Sequence, residues 1–308
     1  MTFSLRQIFS RVAFGLALIG VVDAAPVTRP VRVLIIDGFS NHDWSMTTTR
    51  VVDILRRDGG FQTTVSTSPD STATPDVMAR WSPPISEADV VVMNCNDLGK
   101  PVIWPERVQK ALETFVSKGG GLFALHSANN AFAHWPAYNK MIGLGWRAKD
   151  YGTALEIDET GRVLRLPAGE GEKTSHGKRV DALVRRLGDH PIHRGLPREW
   201  RAANVEVYTY VRGPAEGIEV ISYSKDNVFG KGFPIEWVVS YGQGRVYSSS
   251  LGHLWKGDVN PPGYRCAAFQ TLMVRTLRWL AGRPVETTVP SDFPGATAVS
   301  LRAENPAP

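Results

Sequence analysis

Cysteine is scarce in this chain: Cys95 and Cys266 are the only two in 308 residues, and they lie far apart. A disulfide framework is therefore excluded. The two read as buried free thiols, with a single bridge between them as the alternative. Long apolar runs are missing too. Residues 12–22 are apolar but fall well short of the roughly 20 residues a membrane span needs, and no longer run follows. The net charge of +5 comes with no basic stripe, because Lys and Arg are dispersed apart from brief clusters such as Arg185-Arg186. Without a nucleic-acid motif beside it, that charge gives no argument for DNA or RNA as a partner. No internal repeat is visible.

The start of the chain carries an address. Arg6 and Arg11 precede the apolar stretch, and Val22 and Ala24 stand at the −3 and −1 positions of a cut after Ala24. Charge, short apolar core and small-residue exit read as a secretory signal peptide over residues 1–24, with an uncleaved anchor as the alternative. The expected mature protein is periplasmic or secreted, with no membrane attachment after removal of the signal. Residues 25–283 fit one large α/β domain, and 43% hydrophobic residues suffice for its core. Residues 284–308 form a Pro/Ala-rich tail, expected on the surface or disordered.

Within the domain, strand and helix patterns alternate. Residues 31–36 are a continuous β-rich run, as in a strand buried on both faces. A helix is predicted over residues 45–57 and strands over 61–67, 90–94 and 122–126. Residues 105–118 form a marked amphipathic helix: Val108, Ala111, Leu112, Phe115 and Val116 share a face, Pro105 suits the first turn and Gly119 stops it. Residues 143–177 look like a Gly-rich, charged insertion. Late strands are expected near 205–211, 218–224, 234–240 and 245–250, and a last helix over about 264–281. The alternation predicts a mostly parallel sheet with helices on both faces.

In such sheets the carboxyl ends of strands converge on the binding crevice. Two predicted strands stop on a histidine there, at Leu125-His126-Ser127 and at Leu251-Gly252-His253-Leu254. The first strand delivers Asn41, His42 and Trp44 to the same edge, and Asn129 follows His126 closely. Imidazoles titrate near neutral pH, so His126 and His253 are candidates for general acid and base. The polar–aromatic group Asn41, His42 and Trp44 suits a sugar ring, although turn chemistry explains those residues nearly as well. His134 with Trp135 reads either as a lid helix or as core. His176 reads as part of a loop that closes over substrate or as solvated surface. His190-Pro191 is expected to fix a turn, His193 to lie on the surface, and Trp200 and Trp237 to be core. Gly119-Gly120-Gly121 precedes a strand, so it is no phosphate loop.

Many short pieces, in order, resemble the ThuA-like (trehalose utilisation) family. They are Asn41-His42-Asp43-Trp44 with Thr47 and Thr48, the Gly119–Ser127 segment, His134-Trp135 with Tyr138-Asn139, and Met141-Ile142-Gly143. His176-Gly177, His190-Pro191-Ile192, Gly195-Leu196-Pro197, Glu206-Val207-Tyr208 and Tyr241-Gly242-Gln243-Gly244 follow, leading to Leu251-Gly252-His253. The resemblance implies a class I glutamine amidotransferase-like fold, related to flavodoxin-like sheets. It also implies a place in bacterial sugar metabolism beside enzymes that make 3-keto disaccharides. One departure stands out. Where the family usually reads Asp-Glu-Leu-Tyr, this chain has Val205-Glu206-Val207-Tyr208, so any role needing two adjacent acids is in doubt while Glu206 and Tyr208 remain.

Amidotransferases of this fold use a cysteine at the strand-to-helix elbow, because a thiolate attacks the amide readily. His126-Ser127 stands there instead, which argues against glutamine hydrolysis. The candidate catalytic set is His126, Glu206 and His253, with Asn41, His42, Trp44, Asn129, His134, His176 and Tyr208 as candidate substrate contacts. Glu206 can orient an imidazole, act as a base, or join both histidines around zinc, since His₂Glu is a known zinc set. No HExxH motif supports a metal, so no cofactor is assigned and a divalent metal stays open. The expected function is cleavage of a keto-sugar glycoside by a hydrolase or lyase. A non-catalytic sugar-binding protein or a keto-sugar isomerase is the alternative, and a homo-oligomer is left open.

Overall fold

The computed structural model describes residues 29–303. The proposed signal peptide lies outside the described residues. In chain order the first strands and helices are β1 (Val31–Asp37), α1 (Trp44–Asp58), β2 (Phe61–Thr67), α2 (Pro75–Arg80), β3 (Val90–Met93), α3 (Glu106–Ser117), β4 (Gly121–Leu125) and α4 (Pro136–Ile142). Seven strands follow: β5 (Thr153–Ile157), β6 (Val163–Leu166), β7 (Ser175–His176), β8 (Val180–Arg186), β9 (Glu199–Val205), β10 (Tyr208–Thr209) and β11 (Arg212–Gly213). The chain ends with β12 (Ile218–Lys225), β13 (Gly232–Tyr241), β14 (Gly244–Ser249), α5 (Pro262–Arg265) and α6 (Ala267–Leu280).

The sheet has two halves. Strands β2-β1-β3-β4-β14 pair in parallel, the 2-1-3-4-5 order of flavodoxin-like folds. From β14 it continues through β13, β12, β8 and β9 in antiparallel pairs. The parallel half and its helices follow the sequence expectation. The β8–β9 hairpin has no counterpart in it, because its strands carry charged and half-exposed residues on one face.

Burial on both faces explains the apolar character of β1. Val33 and Ile35 pack with Val51, Ile54 and Leu55 of α1 and with Leu272 and Leu277 of α6. Leu34 and Ile36 face Val108, Leu112 and Val116 of α3 on the other side. Each such side chain, fully buried, contributes about 1.5–3 kcal/mol. Helix α1 is capped by the Asp43 carboxylate on Met46 N–H and ends at Gly59 with φ 76°, the left-handed conformation that glycine tolerates.

Five details differ from the sequence expectation or decide between its alternatives. Residues 205–211 are not one strand: the chain turns at Glu206-Val207 between β9 and β10, with Asn204 and Tyr210 at φ 55° and 53°. The 143–177 segment is not merely an insertion, since it supplies β5, β6 and β7. His193 is not on the surface; it is fully buried against Glu236. The tail through residue 303 lies along the domain and is tied to it: Arg201 N–H donates to Gly295 O, Ala267 N–H to Ser300 O and the Arg275 guanidinium to Thr288 O. Cys95 and Cys266 are free and buried, and Trp200 and Trp237 are core. Among the described residues no helix is long and apolar enough to cross a membrane.

Candidate functional site

Four separate stretches of chain bring one cluster together at the carboxyl edge of the parallel strands. His42 comes from the loop between β1 and α1, His126 from the end of β4, Glu206 from the turn between β9 and β10, and His253 from beyond β14. All four are buried, and one ligand-capable atom from each lies within 4.8 Å of the others. The backbone bends sharply to achieve this. His126 sits at φ 45°, a conformation that costs a non-glycine residue of order 1–3 kcal/mol and persists only where the surroundings impose it. Gly252, at φ 92°, turns the chain into His253, and a Cβ there would stand 3.0 Å from both Leu125 and Phe269.

The three imidazoles form a near-equilateral triangle, with ring centres 5.0, 5.1 and 5.2 Å apart and planes 85°, 79° and 85° to one another. Each is held from behind. His126 Nδ1 donates to Ser250 O at 2.8 Å, which leaves Nε2 as the acceptor of the Tyr208 hydroxyl at 3.2 Å. His42 Nδ1 donates to Asn41 Oδ1 at 2.8 Å, and Asn96 Nδ2 donates to the same oxygen at 2.7 Å. His253 differs: Arg179 donates to its Nδ1 at 3.2 Å, and its Nε2 lies 3.2 Å from Glu206 Oε1. Glu206 Oε2 is 3.8 Å from His126 Nε2, and Oε1 is 3.7 Å from His176 Nε2.

Burial dominates the electrostatics. It pushes His42 down to about 3, reinforced by His253 and other nearby positive groups. His253 falls to about 4 through burial and the adjacent Arg179, and His126 is lowered well below the ordinary imidazole value, again chiefly by burial. Burial raises Glu206, against the pull of His176 and Arg179. Neutral imidazoles offer lone pairs rather than protons.

The other sequence candidates divide. His176 and Tyr208 stand opposite each other in the β7–β10 pair and both touch the cluster, His176 at its half-exposed rim. Asn41 supports His42 from behind, as above. Asn129 is fully buried, and neither of its amide atoms has a protein partner. Trp44 serves through its carbonyl, which accepts from Asn94 Nδ2 at 2.9 Å. His134 stands apart, 3.9 Å from Asp97 and edge-on to Phe132. Trp135 is core rather than lid: it is 4% exposed and stacked on Tyr138.

Sequence reasoning missed three neighbours. Trp255 packs edge-on to His42 and stacks parallel to His253, with 44% of its surface exposed. Trp146 packs against Tyr208 and His176. Arg179 reaches in from just before β8. Trp255 follows His253 by two residues and was within reach of the strand-end argument. Trp146 and Arg179 carry no local signal. A cavity of about 850 Å³ between α3 and Leu280 lies at the opposite edge, beside Gly119 and Gly120. It holds no cluster of metal-ligating side chains, so chemistry rather than volume selects the site.

A family model described as ThuA, trehalose utilisation, matches residues 32–280. Among solved structures, a putative ThuA-like protein from Parabacteroides merdae ATCC 43184 superposes with a TM-score of 0.81 at 29% identity, covering 89% of this chain and 98% of that one. A second putative ThuA-like protein, from Bacteroides uniformis ATCC 8492, gives a TM-score of 0.54 at 20% identity over 84% of this chain and 94% of its own. No curated protein matches.

Proposed function

Because the chain belongs to the ThuA family of trehalose utilisation, we propose that it cleaves the glycosidic bond of a keto-sugar glycoside at the His42–His126–Glu206–His253 cluster. The supporting observation is the placement of one buried carboxylate among imidazoles, flanked by the indoles of Trp255 and Trp146. Indole faces suit the C–H face of a sugar ring, and convergent polar groups suit its hydroxyls.

The chemistry follows from the ketone. Glu206 takes the proton from the carbon between the ketone and the anomeric carbon, and the electron pair passes into an enolate. Collapse of the enolate breaks the bond to the departing sugar, whose oxygen recovers the proton from Glu206. The products are an unsaturated keto-sugar and a free sugar; addition of water to the former completes a hydrolysis. His126 and His253, on either side of Glu206, orient it, and the Tyr208 hydroxyl is the nearest O–H donor to His126.

Incubation of the purified chain with oxidised and unoxidised disaccharides tests this. Product is expected from the keto forms alone. Sugar-dependent thermal stabilisation with no product would replace the reading with a binding protein, and solvent exchange of a C–H proton without cleavage would replace it with an isomerase. In the same reading the domain works in the periplasm after loss of residues 1–24. Amino-terminal sequencing of the exported protein is expected to begin at Ala25.

A further inference from the structure

We propose that His42, His126 and His253 together bind one divalent metal ion of the zinc type, with Glu206 beside the open coordination position. The sequence left a divalent metal open at His126, Glu206 and His253 but did not point to His42, because the three histidines follow three different strands and match no local motif. For a tetrahedral ion about 2.0–2.1 Å from each imidazole nitrogen, the three ring centres lie roughly 5.2 Å apart. The observed separations of 5.0, 5.1 and 5.2 Å meet that requirement, and a ligand-capable atom from each ring lies within 4.8 Å of those of the others.

The second shell agrees. Metal-bound histidines usually donate their other nitrogen to a carbonyl or carboxylate, which fixes the tautomer and aims the lone pair. His126 Nδ1 on Ser250 O and His42 Nδ1 on Asn41 Oδ1, each at 2.8 Å, do this. Two contacts yield on binding. The Tyr208 hydroxyl leaves His126 Nε2 and turns to the ion's fourth ligand. Arg179 leaves His253 Nδ1 and keeps Asp258, now 3.4 Å away. Three histidines and an open position form a catalytic rather than a structural set. Such an ion polarises a ketone oxygen as a Lewis acid, next to Glu206, the base of the reading above. The two ideas share residues, but metal binding is measured without any sugar, so either can fail alone.

The test is equilibrium dialysis of the purified chain against Zn²⁺, with Co²⁺ as an optical probe. Equimolar uptake and the intense visible absorption of tetrahedral Co²⁺ are expected. Loss of a ligand should exceed the 10–100-fold weakening typical of second-shell changes, so His42→Ala and His253→Ala are expected to weaken uptake by at least about 100-fold. Asn41→Ala, which leaves every ligand in place, is expected to weaken it by about 10–100-fold and serves if the histidine variants do not fold. His134→Ala and Glu206→Gln are expected to keep the ion. Absence of equimolar uptake, or equal affinity in the chain and in folded His42→Ala or Asn41→Ala, would overturn the site. Loss of the ion in Glu206→Gln would overturn the three-histidine assignment.

Discussion

Two buried glutamates, Glu206 and Glu236, each meet histidine in this molecule, and their surroundings are opposite. Both oxygens of Glu236 are taken at close range: His193 Nε2 at 3.0 Å and the Ser222 hydroxyl at 2.6 Å on one, the Tyr247 hydroxyl at 2.6 Å on the other. Burial would raise this carboxyl, but His193 and the two hydroxyls outweigh it and hold it below its ordinary value. Glu206 meets imidazoles at 3.2, 3.7 and 3.8 Å, with no hydroxyl close by among the described residues, and burial wins against the pull of His176 and Arg179. The same residue types thus make a closed structural knot across β12, β13 and β14 in one place and a carboxylate without close hydroxyl donors in the other. What separates them is whether every lone pair already has a donor.

Each half of that contrast can be tested. The largest effect is expected at the open group. Glu206→Gln should lower turnover of a keto-disaccharide by about 10²–10⁴-fold, the usual contribution of a positioned acid–base group, with an unchanged denaturant midpoint. An equal loss of stability would make it a second knot. Glu236→Ala should do the reverse. It leaves His193 buried without its partner, and urea unfolding is expected to show a loss of about 3–5 kcal/mol while activity per folded molecule is retained.

The pH dependence sharpens the same point. A carboxyl held below its unfolded value stabilises the fold fully above that value, about 4.3 for glutamate, and the gain is lost as pH falls through the folded value. The stability gap between the unmodified chain and Glu236→Gln is therefore expected to narrow as pH falls below about 4. A gap that widened in acid would reverse the assignment. Gly252→Ala forces a side chain into φ 92° against Leu125 and Phe269, and is expected to cost about 1–3 kcal/mol and to misplace His253. The smallest change is at the rim. Trp255→Ala should raise KM by about 2–10-fold with little effect on kcat, in line with about 0.5–1.5 kcal/mol for an aromatic contact.

Legibility from the sequence followed locality. The amphipathic pattern of residues 105–118 became α3 within one residue at each end, because helical periodicity is a property of neighbours in the chain. His126 and His253 were found because a strand end has a fixed place in a parallel sheet. Glu206 was reached through the family resemblance, and its actual setting, a turn between two strands, was misread as strand interior. His193 was misplaced altogether. A histidine after a Pro-led turn reads as surface until β13 brings Glu236 beneath it. Trp146 and Arg179 reach the cluster through contacts that no spacing announces.

By itself, then, the sequence determined the parallel α/β half, its two apolar faces and the strand ends that carry His42, His126 and His253, since each depends on patterns a few residues long. Only the tertiary structure decided which carboxylate is saturated with close donors and which is not. That depends on donors more than ten residues away in the chain, such as Tyr247 on Glu236. It also decided that three imidazoles stand at one spacing around a common centre, because the distance between rings on different strands is set by sheet register and turn geometry.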